Sequence, residues 1–197
     1  MKVRGINILI AGLGGQGVLL AGDIISRALL NEGYDVKASA LRGMAQRGGM
    51  MLSHIRAGKK VYSPLIPKGR VDILVALELE ECIKQVEYLK KAGSVFFLDR
   101  YMPAREAKGR KIKGPHSIIK SLKENFGNRA VQIPYDRALN NSRNVKTLNM
   151  FMLGVLSRYL FINKSSWFKS INETFSRNMR DDNLSAFSAG RNLYSTF

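Results

Sequence analysis

The stretch INILIAGLGGQGVLLAGDII, residues 6–25, governs the architecture. Ile6 to Ala11 is a short apolar run rich in β-branched residues, the pattern of a buried parallel strand. Gly12-Leu13-Gly14-Gly15-Gln16-Gly17 interrupts it, and Val18 to Leu30 then carries Val18, Ala21, Ile25, Ala28 and Leu29 on one helical face. Gly33 is a stop signal, and Tyr34 to Ala40 is a second strand. A strand, a crossover helix and a strand predict a mostly parallel sheet with helices on both faces.

Outward from this unit, Leu41 to Gly49 (LRGMAQRGG) is a loop or a short helix, and Met51 to Arg56 a further strand. Ser63 to Gly69 is a proline-bounded loop. Val71 to Leu77 and Ser94 to Leu98 have the composition of core strands, separated by a helix-like run from Glu78 to Lys91 that Gly93 caps. Arg100 to Gly114 holds six Lys/Arg against one Glu and is an exposed connection. Ser117 to Phe126 predicts a helix, and Ala130 to Pro134 a short strand. Asp136 to Asn141 opens a helical C-terminal part, with helices over 145–161, 165–178 and 182–193. The fold class is α/β: three-layer and Rossmann-like, in one domain over 1–197. Residues 1–99 are its glycine-rich core, 100–144 a basic connection with short elements, and 145–197 the helical part.

Gly12, Gly14 and Gly17 fit G-x-G-x-x-G after a strand and before a helix, the context that gives this pattern meaning. Glycine allows the tight turn and the close approach of an anion, and the helix N-terminus supplies N–H groups and a partial positive charge. A nicotinamide dinucleotide would call for an acidic residue at the end of the second strand. Asp35 is at its start, and only Arg42 follows it. The alternative is that the glycines serve packing and a protein interface. Gly12, Gly14, Gly15, Gln16 and Gly17 are therefore candidates for cofactor binding or an interface. Gln46, Arg47 and Gly48 join them, because their glycine-flanked loop emerges at the carboxyl end of strand two, where open parallel sheets bind ligands. Arg47 suits a phosphate or carboxylate as a fork.

Composition narrows the chemistry. The 197 residues contain one cysteine, Cys82, and two histidines, His54 and His116, with no metal-ligand spacing. Iron-sulfur clusters need about four thiolates, so none is encoded here. His54, on a strand, is a packed residue more readily than an acid or base. Glu78 favours the start of the following helix. Asn149 and Asn183 suit buried backbone groups where the last helices meet the sheet. No catalytic or metal-binding residue is assigned. The net charge of +17 is uneven: residues 1–99 carry 14 Lys/Arg against 9 Asp/Glu, and residues 100–197 carry 18 against 6. The basic stretch lacks interleaved aromatics apart from Tyr101, which argues against single-stranded nucleic acid and leaves a solvated loop or a docking surface for an acidic partner. No secretory signal and no apolar run of about 18 residues is found, so no membrane association is expected and the cytoplasm is the default.

The runs INILIAGLGGQGVLLAGDII, GYDVKASALRGMAQRGGMMLSHIRAG and VYSPLIPKGRVDILVALELEE resemble the gamma subunit, or gamma domain, of 2-oxoacid:ferredoxin oxidoreductases. The variant with Gly43 to Gly49, Ser53-His54-Ile55-Arg56 and Ser63 to Pro67 is most similar to the beta subunit of indolepyruvate oxidoreductases. Asn149, Gly154, Asn183, Ala186, Phe187 and Gly190 resemble the family's late motifs; 100–144 matches little. The resemblance implies a subunit that is inactive alone and binds no cofactor by itself. Thiamine diphosphate and iron-sulfur clusters would belong to partner subunits, coenzyme A would be the co-substrate, and electrons would pass to ferredoxin. Pyruvate- and 2-oxoglutarate-oxidising relatives, or a free-standing NAD(P)-binding protein, are the alternatives.

Overall fold

The computed structural model describes residues 5–43, 48–102, 114–142 and 144–193. Six strands form one sheet: β1 (Ile6–Leu13), β2 (Asp35–Arg42), β3 (Met50–Gly58), β4 (Val71–Ala76), β5 (Leu89–Leu98) and β6 (Ala130–Ile133). Their order is β2-β3-β1-β4-β5-β6. β1, β4, β5 and β6 pair in parallel, while β3 runs antiparallel to both β1 and β2. The mostly parallel sheet is thus as expected, with one addition. The second strand does not lie beside the first: the chain returns through a hairpin, and β3 inserts between them.

Alternation along the strands sorts the core into two layers. Ile8 and Ile10 face one side with Ile55, Val75 and Phe96, and Leu9 and Ala11 face the other with Leu52, Leu74 and Phe97. The first side is covered by α1 (Val18–Asn31), α4 (Tyr135–Asn141), α5 (Leu148–Leu156), α6 (Lys164–Thr174) and α7 (Arg177–Asn192). The second is covered by α2 (Leu79–Gln85) and α3 (Pro115–Phe126).

Local chemistry sets the helix ends. Past Glu32, Gly33 adopts φ 83°; its N–H donates to Leu30 O at 2.9 Å, and Tyr34 N to Leu29 O at 3.2 Å, closing a Schellman motif. Glu32 then accepts hydrogen bonds from Asn163 and Ser166, which fastens the end of α1 to the start of α6. The helix expected over Glu78–Lys91 is shorter. It ends at Gln85, Val86–Tyr88 form one 3-10 turn, and Leu89 is already in β5 opposite Val71. Val86 and Tyr88 are weak helix formers, and Leu89 is buried in the second core layer. Gly93 is consequently a strand residue and not a cap. An added Cβ there would meet Lys90 O and Val71 O at 3.0 Å, where the β4–β5 register shifts.

The last helices pack through glycine. A Cβ on Gly154 of α5 would lie 2.0 Å from Phe187 O of α7, and a Cβ on Gly190 would lie 2.0 Å from Phe151 O. The two backbones touch at both points, so neither position accepts a side chain.

Candidate functional site

The carboxyl ends of β1 and β4 meet where the chain order reverses, the position at which open α/β sheets present their ligand crevices. β1 delivers the glycine-rich turn to this rim. Gln16 N donates to Leu13 O at 3.1 Å, and Gly15 has φ 92°, as the third residue of a type II turn requires. Gln16 folds back so that its Oε1 accepts from Leu13 N at 2.8 Å. Gly12 makes room for this: a Cβ there would fall 2.7 Å from Gln16 Oε1 and 2.9 Å from Val18 Cγ2. Gly17 is the N-cap of α1 in a left-handed conformation, φ 77° and ψ 26°. The first intrahelical bond is Ala21 N to Gly17 O, so the N–H groups of Val18, Leu19 and Leu20 lie ahead of it. The first turn of α1 carries no acidic side chain to occupy them.

Two distant segments close on this turn. Asn149, at the start of α5, donates through Nδ2 to Gly17 O at 3.3 Å, and a Cβ on Gly17 would fall 2.2 Å from the same atom. The β2–β3 hairpin reaches it from the other side. Gly43 N donates to Met50 O at 2.8 Å, closing the ladder, and Gly14 N donates to Gly49 O at 2.9 Å. Gly48 has φ 68° and its N lies 3.7 Å from where a Cβ on Gly14 would be. Gly12, Gly14, Gly15, Gln16, Gly17 and Gly48 therefore form one patch. Gln46 and Arg47 lie outside the described residues, in the segment joining Gly43 to Gly48. Among the described residues, nothing lies within 4 Å of a Cβ added to exposed Gly15, whereas Gln16 Nε2 is buried without a partner.

The arrangement tells against the dinucleotide alternative. The neighbour of β1 on the hairpin side is antiparallel β3, with Met50 opposite Leu13. Arg42, which ends β2, is one strand further away, about 10 Å from β1 at the usual strand spacing. Asp35 accepts hydrogen bonds from Val61 N and Lys37 at the opposite end of the sheet.

The remaining polar groups serve structure. Glu78 is the N-cap of α2: Oε2 accepts from Glu81 N at 3.0 Å and Oε1 from Met102 N at 2.9 Å. Burial raises its pKa despite those bonds. His54 is 2% exposed, its Nδ1 accepts from Ile66 N at 3.3 Å, and burial lowers its pKa. Arg56, two residues on, donates to Ser63 O and Leu65 O. Together they fasten the proline loop to the face of β3, a role the sequence did not disclose. Burial pushes the Cys82 thiol far above its ordinary value, which keeps it an inert core residue. Asn183 donates to Met179 O at 2.7 Å within α7. Among the described residues, no three His, Cys, Asp or Glu side chains are grouped to hold a metal ion, and no helix is long and apolar enough to cross a membrane. The described side chains of the patch offer no exposed acid–base pair.

The model of the pyruvate ferredoxin/flavodoxin oxidoreductase family matches residues 7–193. The chain belongs to that family. It is 32% identical over 154 residues to the indolepyruvate oxidoreductase subunit IorB of Thermococcus kodakarensis, covering 77% of this chain and 76% of that one. To IorB of Archaeoglobus fulgidus it is 31% identical over 95% of this chain and 94% of the relative. The 2-oxoglutarate synthase subunit KorC of Methanothermobacter thermautotrophicus is 29% identical over 95% of this chain and 94% of its own length. Solved structures share the fold. The keto/oxoacid ferredoxin oxidoreductase gamma subunit of Geobacter sulfurreducens superposes with a TM-score of 0.67 at 21% identity, over 94% of this chain and 95% of that one. The 2-oxoglutarate:ferredoxin oxidoreductase of Magnetococcus marinus, with 2-oxoglutarate, coenzyme A and succinyl-CoA bound, gives a TM-score of 0.73 at 22% identity. There the match covers 95% of this chain and 30% of the longer one. The family chain is thus a subunit-sized module of 2-oxoacid:ferredoxin oxidoreductases.

Proposed function

We propose that this chain is the non-catalytic subunit of an indolepyruvate-type 2-oxoacid:ferredoxin oxidoreductase. It packs against a subunit carrying thiamine diphosphate and iron-sulfur clusters. The complex decarboxylates the 2-oxoacid, transfers the acyl group to coenzyme A and passes two electrons to ferredoxin. In this reading the glycine-rich turn, with Gly48 and Gly49 beside it, forms one wall of the coenzyme A path or of the cleft between subunits. Arg47, chosen from the sequence, is the residue proposed to bind an anion through its guanidinium fork. The observation that carries the proposal is the hydrogen bond from Gly14 N to Gly49 O, which brings two segments from different parts of the chain to one rim beside the uncapped start of α1. The similarity to IorB proteins supports the arylpyruvate choice.

The test is co-expression with the thiamine subunit, followed by coenzyme A-dependent reduction of a viologen dye. The isolated chain is expected to be inactive, and the complex to prefer indolepyruvate over pyruvate and 2-oxoglutarate. Arg47→Ala is expected to raise the KM for coenzyme A or to weaken assembly. Unchanged coenzyme A affinity, turnover and assembly in that variant would remove the wall assignment. Substrate oxidation by the chain alone would overturn the whole reading. Preference for 2-oxoglutarate would instead group the complex with the 2-oxoglutarate relatives that KorC represents.

A further inference from the structure

At the far end of α5 from Asn149, two arginines share a cavity. Arg158, Tyr159, Arg191, Val155 and Gly190 line a notch of about 210 Å³ where α5 ends against α7. Arg191 is held in place: its Nη1 donates to Ser157 Oγ at 2.8 Å and to Ser157 O at 3.2 Å. Tyr159 is fixed by an edge-on contact with Phe96, ring centroids 4.8 Å apart. No carboxylate among the described residues pairs with Arg158 or Arg191. Burial lowers the pKa of Arg191, and the charge of Arg158 adds to that effect. Two guanidiniums kept together without an acid cost Coulomb energy that an anion would recover. Beside them the surface turns apolar. Tyr159 is 50% exposed, and Phe161, two residues on, is 88% exposed. A site for a small soluble anion needs no such aromatic rim, whereas arginine with exposed aromatics is the composition of a protein interface centre.

We infer that the α5–α7 notch is a docking point for a partner subunit, taking an aspartate or glutamate side chain between Arg158 and Arg191 while Tyr159 and Phe161 pack against apolar surface around it. The inference rests on the subunit reading given above and extends it to a second surface, remote in sequence from the glycine-rich turn. The chain's charge of +17 suits an acidic partner. Arg191 positions the notch and completes the end of α5; Arg158 and Phe161, both exposed, are available to the partner alone.

The experiment compares wild type, Arg158→Glu and Phe161→Ala as full-length chains. Affinity for the co-expressed thiamine-diphosphate subunit is measured by surface plasmon resonance from 50 to 300 mM salt, with circular dichroism to show that each chain is folded. Wild type is expected to bind. Arg158→Glu should weaken binding at least tenfold with a flatter salt dependence, and Phe161→Ala several-fold with an unchanged one. Wild-type affinity in both variants would overturn the inference while leaving the subunit reading intact. A wild-type chain that does not bind would overturn both. Inorganic phosphate is titrated into the isolated chain as a further arm. Saturable binding lost in Arg158→Glu, with assembly unaffected, would give the notch to a small anion and overturn the docking role.

Discussion

The turn over Gly12–Gly17 and the crossing of α5 with α7 both depend on glycine, yet an added methyl group meets different surroundings at the two places. At Gly154 and Gly190 it would collide with a backbone carbonyl 2.0 Å away. At Gly15 it would meet nothing within 4 Å among the described residues, and φ 92° is what disfavours it. The helix crossing uses glycine to let the chain approach itself, as Gly12 does within the turn, whereas Gly15 leaves the rim open. Gly17 belongs to both kinds, since its φ is 77° and Asn149 also fills the space of its Cβ. Glycine in a sequence motif therefore does not by itself mark a ligand site; what surrounds the missing Cβ decides.

Substitutions at these positions break or sharpen that distinction. Gly154→Ala and Gly190→Ala should each cost about 3 kcal/mol, because a backbone-to-backbone contact has no side chain that can yield. Urea denaturation monitored by circular dichroism measures this, and a loss below about 1 kcal/mol at both sites would show that the crossing is not close-packed. Gly17→Ala should cost about 2 kcal/mol, from left-handed strain and the clash with Asn149. Adding Asn149→Ala should recover part of that loss, and strict additivity of the two changes would deny the contact. Gly15→Ala should cost about 1 kcal/mol, from backbone strain alone. If the open rim serves an anion or a partner, its effect on coenzyme A affinity or on assembly exceeds its effect on stability; equal small effects would make the turn purely structural.

The smallest expected effect is a control outside both glycine regions. The lowered pKa of buried His54 means that the unfolded chain binds its proton more readily than the native one. His54 therefore costs no stability above the ordinary histidine pKa, and stability falls as the pH drops below it. His54→Gln should flatten the stability profile between about pH 7 and 5 relative to wild type. An unchanged slope would exclude His54 as its source.

Much of this was legible in residues 6–25, because an apolar run, a glycine turn and a 3.6-residue periodicity each report local structure. The β1–α1 unit, the later strands and the existence of three C-terminal helices were readable from such local patterns, but the first of these helices ends at Leu156 and not at 161, and the last begins at Arg177 and not at 182. The insertion of β3 between β1 and β2 was not legible: pairing partners are set by non-local packing, and alternation in MLSHIRAG is the same in either direction. The early end of α2 was hidden for a similar reason, since Leu89 leaves the helical pattern only because Val71 receives it in the sheet. At the site, the glycines announced the turn, but nothing near Gly17 pointed to Asn149, which reaches it from 132 positions away. Arg158 and Arg191 had no local signal, being ordinary basic residues until α5 and α7 cross.

Glu78 has a consequence for the chain's tolerance to change. Its one carboxylate accepts from Glu81 N and Met102 N, and the adjacent Leu79 N donates to Arg100 O. The junction leaving β4 and the departure of the basic stretch are thus riveted to the same point, while Pro115 restarts the chain at the first turn of α3. Glu78 therefore ties the exit of β4, the start of α2 and the backbone at Met102 to a single side chain. Removing that one carboxylate would release three stretches of chain together, where most single caps release one.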